Sequence, residues 1–65
     1  NINKNVLLDE MELYKKYLGP GGILLLSGFY VEDIPDLVSE GLNHNLHELK
    51  RDARENWAAL VLVNN

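Results

Sequence analysis

Among the residues whose types could support metal or covalent chemistry, His44, His47 and Ser27 are singled out by their positions in the chain. His44 and His47 stand three residues apart and, together with Glu48, offer nitrogen and oxygen ligands of the kind that zinc binds. They fall where a predicted helix ends and an edge strand begins, so their side chains would not converge on one ion. We therefore expect solvated histidines and no metal site.

Ser27 precedes Gly28 directly after a short apolar run, Ile23 to Leu26. No Gly-x-Ser-x-Gly pattern surrounds this serine and no base stands beside it in sequence, so no nucleophilic serine is predicted. Its position is still informative, because open α/β sheets bind ligands at the carboxyl ends of their strands. The glycine-rich residues 19–22 lead from helix into strand, the reverse of a phosphate-binding loop, and we interpret them as a helix stop and a turn.

The composition excludes several classes of function. The chain has 65 residues, with 6 Lys+Arg against 10 Asp+Glu and a net charge of -4, so an electrostatic footprint for nucleic acid is not expected. It contains no Cys, which excludes disulfides, iron–sulfur clusters and thiolate zinc sites. The apolar runs Ile23 to Leu26 and Trp57 to Val63 are both far short of the about 20 residues of a membrane span.

Hydrophobic periodicity predicts two helices. Apolar residues at spacings of four, three and four predict an amphipathic helix over residues 5–18, with Asn5 as its N-cap. A second amphipathic stripe begins near Ile34 and ends around residues 43–45, with Pro35 in its first turn.

Three strands complete the predicted elements. The run at residues 23–26 predicts a strand buried on both faces, and the charged residues 46–53 predict an edge strand. A polar loop at residues 54–56 leads into a third strand over 57–63. We assign the aromatic side chains to the core or its margin; these are Tyr14, Tyr17, Tyr30 and Trp57.

This order of elements predicts an α/β fold that forms half of an open sheet with one antiparallel strand. Three strands give little surface for helices on both faces, so we expect residues 1–65 to be a single partial domain that continues a preceding sheet.

The sequence resembles the C-terminal part of the methyltransferase family that modifies ribosomal protein L-eleven. Four segments carry the resemblance across most of the chain, namely Asn1 to Leu8, Leu18 to Gly22, Leu25 to Phe29 and Trp57 to Val61. The resemblance implies the last part of a Rossmann-like class I methyltransferase sheet, with two helices and three strands. In that sheet the final, antiparallel strand lies between the other two.

The resemblance also implies a function and site residues. The parent protein would use S-adenosylmethionine to N-methylate a ribosomal protein substrate in the cytoplasm. Asn1 would be the catalytic residue, Asn1 and Ile2 would lie beside the cofactor, and Ser27, Gly28 and Phe29 would border the substrate pocket. The glycine-rich donor turn and the substrate-recognition domain of the family are not found in these 65 residues, so the fragment alone is expected to be inactive and not to bind the cofactor.

Two other interpretations stay open at the level of sequence. One is a fragment of a small-molecule methyltransferase, because acceptor choice would depend on the substrate domain. The other is a stand-alone acidic α/β module that binds a protein partner through an apolar sheet edge. Self-association of the fragment is also expected, because strands that lack their neighbours pair readily.

Overall fold

The computed structural model describes residues 4–65, which form two helices and three strands. Helix α1 spans Lys4–Tyr17 and helix α2 spans Ile34–Asn43, with a short 3-10 turn, Val31–Asp33, leading into α2. Strands β1, β2 and β3 span Ile23–Tyr30, Leu46–Arg54 and Trp57–Asn64. The predicted order of helix, strand, helix, strand, strand is confirmed.

Helix α1 forms because its apolar residues recur at helical spacing, and it buries Leu7 and Met11. The prediction that Asn5 caps this helix was wrong, since the helix already includes Lys4 and Asn5 is exposed within it. An N-cap residue has non-helical backbone angles, so a residue inside the helix cannot fill that role. The Lys4 ammonium in the first turn pairs with Asp36 of α2 at 3.0 Å.

The three strands form one sheet in the order β1-β3-β2, in which β3 is antiparallel to both neighbours. The expected central place of the last strand is therefore confirmed. Pairing runs from Ile23 opposite Val63 to Tyr30 opposite Trp57 on one side of β3, and from Leu46 opposite Asn64 to Arg54 opposite Trp57 on the other.

Both helices pack on the same face of the sheet. The core there consists of buried apolar side chains from all five elements: Leu7, Met11, Leu26, Phe29, Ile34, Leu37, Leu46, Ala58, Leu60 and Leu62. Alternation along β3 places every second residue in this core.

The prediction that β1 is buried on both faces was wrong. Ile23 and Leu25 are 53% and 65% exposed, because α1 and α2 lie on one side of the sheet and no described element covers the other. Their side chains thus form part of an open apolar face.

Three aromatic assignments also need correction. Tyr17 is exposed at the end of α1, and Tyr30 and Trp57 are 46% and 45% exposed. Tyr30 and Trp57 stack on each other on the open face instead of entering the core, because the pairing register points both away from the helices. Tyr14 packs against the core as expected.

The turn between α1 and β1 is held by the end of β3. Gly21 has a φ of 78°, which suits glycine, and its N–H donates to the Asn64 carbonyl at 2.6 Å. The buried Asn64 amide nitrogen donates to the carbonyls of Leu18 and Gly19, and its Oδ1 accepts from the Lys15 ammonium. Residues 19–22 thus act as the predicted helix stop and turn.

Candidate functional site

Strand β1 contains a β-bulge at Gly28, near its carboxyl end. The bulge lies beside a depression on the open face of the sheet. The pairing to β3 slips between Ser27 and Phe29, and Gly28 adopts a φ of 82°. The depression has a volume of about 280 Å³. Its lining consists of Ser27, Gly28, Asp52, Ala53, Arg54, Trp57, Ala58 and Ala59.

One row of paired residues across the three strands forms the floor of the depression. Ser27 pairs with Ala59, and Ala59 pairs with Asp52, so a hydroxyl and a carboxylate stand on the same face on either side of a methyl group. Two strand spacings separate their backbones by about 10 Å. The small Ala59 side chain leaves room for a polar ligand to contact both groups.

An aromatic wall closes the end of the depression. Tyr30 and Trp57 stack with ring centroids 4.9 Å apart and planes inclined by 24°. Trp57 also pairs with Arg54, which places a guanidinium in the next position along the row. The Val31 N–H donates to the Asn56 carbonyl at 2.9 Å, so the β2–β3 turn is fixed to the end of β1.

The bulge at Gly28 decides which way the neighbouring side chains point. Leu26 faces the core and Ser27 faces the depression, so regular alternation would point residue 28 inward and Phe29 outward. The extra residue shifts this parity by one, and Phe29 is only 1% exposed within the core. Tyr30 consequently faces the open side.

The structure brings two of the residues predicted from sequence together and separates the side chain of a third from them. Ser27 and Gly28 line the depression, whereas the Phe29 ring lies in the core behind it. Asn1 and Ile2 lie outside the described residues.

Sequence reasoning missed Asp52, Arg54 and Trp57 as lining residues. The usable signal was the register of the hairpin, because a turn at residues 55–56 places these residues opposite the end of β1. Asp52 also accepts a hydrogen bond from the Ala53 N–H at 2.9 Å, which fixes its carboxylate near the strand.

The groups with shifted pKa values all lie away from the depression. The hydrogen bond from Arg51 lowers the pKa of Glu48, and the hydrogen bond with His44 lowers the pKa of Glu40. The hydrogen bond to Asp36 raises the pKa of Lys4. These pairs lie on strand β2 and on the two helices, and they supply no acid or base to the depression.

His44 and His47 do not meet around a common ion. His44 Nε2 lies 2.9 Å from Glu40 Oε2, and His47 is exposed on β2. Among residues 4–65, no group of three or more His, Cys, Asp or Glu side chains is arranged to hold a metal. In the same part of the chain, neither helix has the length and apolar character needed to cross a membrane.

The arrangement therefore suits binding by hydrogen bonds and an aromatic surface. It offers a hydroxyl, a carboxylate, a guanidinium and an indole around an open depression. None of these groups is paired with a base in the way that an activated nucleophile requires.

Comparison with known proteins finds relatives that align with almost the whole chain. The ribosomal protein L11 methyltransferase of Porphyromonas gingivalis is 56% identical over 62 residues, which cover 92% of this chain and 21% of that relative. The proteins of the same name from Bacteroides fragilis and Phocaeicola vulgatus are 40% and 32% identical over 63 residues, each covering 97% of this chain. No protein-family profile matches the chain. It spans about a fifth of the length of these relatives, at their C-terminal part.

Proposed function

We propose that this chain, which matches the C-terminal part of the ribosomal protein L11 methyltransferase family, is the last segment of an S-adenosylmethionine-dependent enzyme that N-methylates L11. The observation that carries the proposal is the 56% identity over 92% of the chain to a protein of that name. The central antiparallel β3 supports it, because that order is the one that the family resemblance implies.

The cofactor would be held largely by residues that precede this segment. The family resemblance implies that the adenosyl donor binds at a glycine-rich turn from strand into helix, and residues 19–22 run from helix into strand instead. We therefore propose that the 65-residue chain alone neither binds the donor nor transfers a methyl group. Asn1 and Ile2 would complete the donor side of the site in the whole protein.

The chemistry needs an aligned, neutral amine. When bound, S-adenosylmethionine would supply an electrophilic sulfonium methyl carbon that the amine nitrogen attacks, with the neutral thioether S-adenosylhomocysteine as the leaving group. Asn1 would accept a hydrogen bond from the amine and orient its lone pair without adding a charge that favours the protonated form. This role is a hypothesis that follows from the resemblance.

On the acceptor side, Ser27 and Gly28 would contact the substrate at the depression. Phe29 would contribute by anchoring the strand end, because its ring is buried while its backbone follows the bulge. We propose that the activity is cytoplasmic, because the proposed substrate is a ribosomal protein.

Transfer of a labelled methyl group tests the proposal. The chain extended through its native upstream sequence is incubated with methyl-labelled S-adenosylmethionine and purified L11, and we expect label in L11. Asn1→Ala should lower the rate at least 10-fold, as expected for loss of an orienting hydrogen bond in the transition state. Label in a small amine but not in L11 would instead favour a small-molecule methyltransferase.

Self-association of the isolated chain is a separate proposal. The outer edge of β1 has no strand partner within residues 4–65 and carries no charged side chain, whereas the β2 edge carries Lys50, Arg51 and Asp52. Uncharged edges pair readily through their backbone groups. Light scattering should give a dimer mass at high concentration, and a monomer mass would contradict it.

A further inference from the structure

Tyr30 and Trp57 form an exposed aromatic pair at the carboxyl end of β1. They pair across β1 and β3, and their ring centroids lie 4.9 Å apart with planes inclined by 24°. This separation is close to the spacing of neighbouring strands, so the two rings stand side by side on the open face of the sheet. Each ring therefore covers one face of the other, while both side chains stay in contact with solvent.

The two rings differ in their relation to the depression. Trp57 lines it together with Ser27 and Gly28, whereas Tyr30 is not one of its lining residues. Tyr30 therefore acts on the depression only through its contact with the indole of Trp57.

The backbone around Tyr30 is held on both sides. The Phe29 ring before it is only 1% exposed within the core, and the Val31 N–H after it donates to the Asn56 carbonyl at 2.9 Å. The bulge at Gly28 places Tyr30 on the open face between these two anchors. Tyr30 is thus a fixed platform on which the indole of Trp57 packs.

Such a platform matters for an exposed indole that lines a binding site. An exposed side chain exchanges between rotamers, and ordering it when a ligand binds costs free energy. Stacking of two aromatic rings contributes stability beyond the area that it buries. The stacked indole of Trp57 is ordered before a ligand arrives, so its contact with that ligand costs less.

We propose that Tyr30 is a positioning residue for acceptor binding, which holds the Trp57 indole against the depression where the indole contacts the acceptor protein. The inference deepens the proposed function and rests on it in treating the depression as part of the acceptor site. The contact involves no reacting atom, so it stabilises the bound acceptor equally before and in the transition state. Its loss changes KM for the acceptor and leaves kcat unchanged.

Steady-state methylation of purified L11 tests this role in the chain extended through its native upstream sequence. We expect Tyr30→Ala to raise KM for L11 by about 3- to 10-fold, the size of one aromatic pair, without a change in kcat. Tyr30→Phe retains a ring that can stack and should keep the KM of the unmodified protein. An unchanged KM in Tyr30→Ala, or the same rise in Tyr30→Phe, would overturn the proposal.

Fluorescence of the 65-residue chain reports the position of the indole without methyl transfer, because Trp57 is its only tryptophan. Tyr30→Ala should raise the acrylamide quenching constant about 2-fold, since one face of the indole loses its stacked cover. Tyr30→Phe should leave the quenching constant unchanged. Equal quenching constants in the unmodified chain and in Tyr30→Ala would overturn the proposal.

Tyr17→Ala is the matched control, because Tyr17 is a tyrosine at the end of α1 that is 79% exposed. It should change neither KM nor the quenching constant. Circular dichroism checks the fold of each variant, and Tyr30→Leu, which lacks a ring but keeps an apolar side chain, replaces Tyr30→Ala where the alanine variant unfolds. Absence of label in L11 with the unmodified protein would contradict the proposed function, and quenching would still decide whether Tyr30 positions the indole.

Discussion

At the scale of single residues, the buried side chain of Asn64 holds the turn between α1 and β1. Its buried side chain donates to the carbonyls of Leu18 and Gly19 at 2.9 and 3.0 Å and accepts from Lys15 at 2.6 Å. Asn64→Ala leaves these groups without their partner and should lower the free energy of unfolding by about 1–3 kcal/mol. Urea denaturation measures the loss.

Asn43→Ala is the control for this prediction, because Asn43 is exposed and makes one hydrogen bond, to Glu40 at 3.3 Å. Asn43→Ala should change the free energy of unfolding by no more than about 0.5 kcal/mol. Equal costs for the two alanine variants would mean that Asn64 does not hold the α1–β1 turn.

Two surface carboxylates should make the stability of the folded chain decrease at acid pH. The main cause that lowers the pKa of Glu48 is its hydrogen bond from Arg51, and for Glu40 it is the hydrogen bond with His44. Both pKa values lie below the ordinary value of 4.5. A carboxylate whose pKa is lower in the folded state contributes stability above its unfolded pKa and loses it as pH falls through the folded value. Stability should therefore decline as pH falls below about 4.5.

Thermal unfolding followed from pH 7 down to pH 2 checks this sign. Glu48→Gln removes one titrating group and should make the decline shallower. An unchanged slope in the variant would show that the Glu48–Arg51 pair contributes no pH dependence.

At the scale of elements, the bulge in β1 is the feature that shapes the candidate site. Gly28 has a φ of 82° and open space around its Cα, so a side chain there would meet strain in the backbone and no steric clash. Gly28→Ala should destabilise the fold by about 1–2 kcal/mol. Gly19→Ala, which also has open space but no positive φ, should cost little, and equal effects in thermal unfolding would contradict this account.

The local sequence pattern predicted the helices and strands, but it did not predict which of their faces are buried. The spacing of Leu7 and Met11 predicts α1, and the run at residues 23–26 predicts β1. Burial of β1 on one face only depends on both helices choosing the same side, which no local pattern encodes. The inward turn of Phe29 depends on a bulge, and a single glycine after an apolar run does not distinguish a bulge from a strand end.

The candidate site could be predicted only in part, because some of its residues are brought together by the pairing of distant strands. Ser27 stands at a strand end and could be singled out by position. Asp52 and Trp57 enter the site only through the hairpin register, which depends on a turn with Glu55 at a φ of 55° and a second bulge between Glu48 and Lys50. Neither feature has the glycine signature that identifies common hairpin turns from sequence.

At the scale of the whole molecule, the sheet has two unlike edges and two unlike faces. Within the described residues, the β2 edge carries charged residues and the β1 edge carries none, and the helices cover one face while the other exposes apolar side chains. We propose that the segment closes a larger sheet on its charged side and is continued by preceding strands on the other. The core of ten buried apolar residues gives the segment its own packed face.

The central claim is that this chain is the C-terminal segment of a methyltransferase whose donor site lies before it. Calorimetric titration of S-adenosylmethionine into the 65-residue chain, and into the same chain extended through its native upstream sequence, tests this claim most directly. The account predicts saturable binding by the extended protein and none by the short chain. Binding by the short chain, or by neither protein, would contradict it.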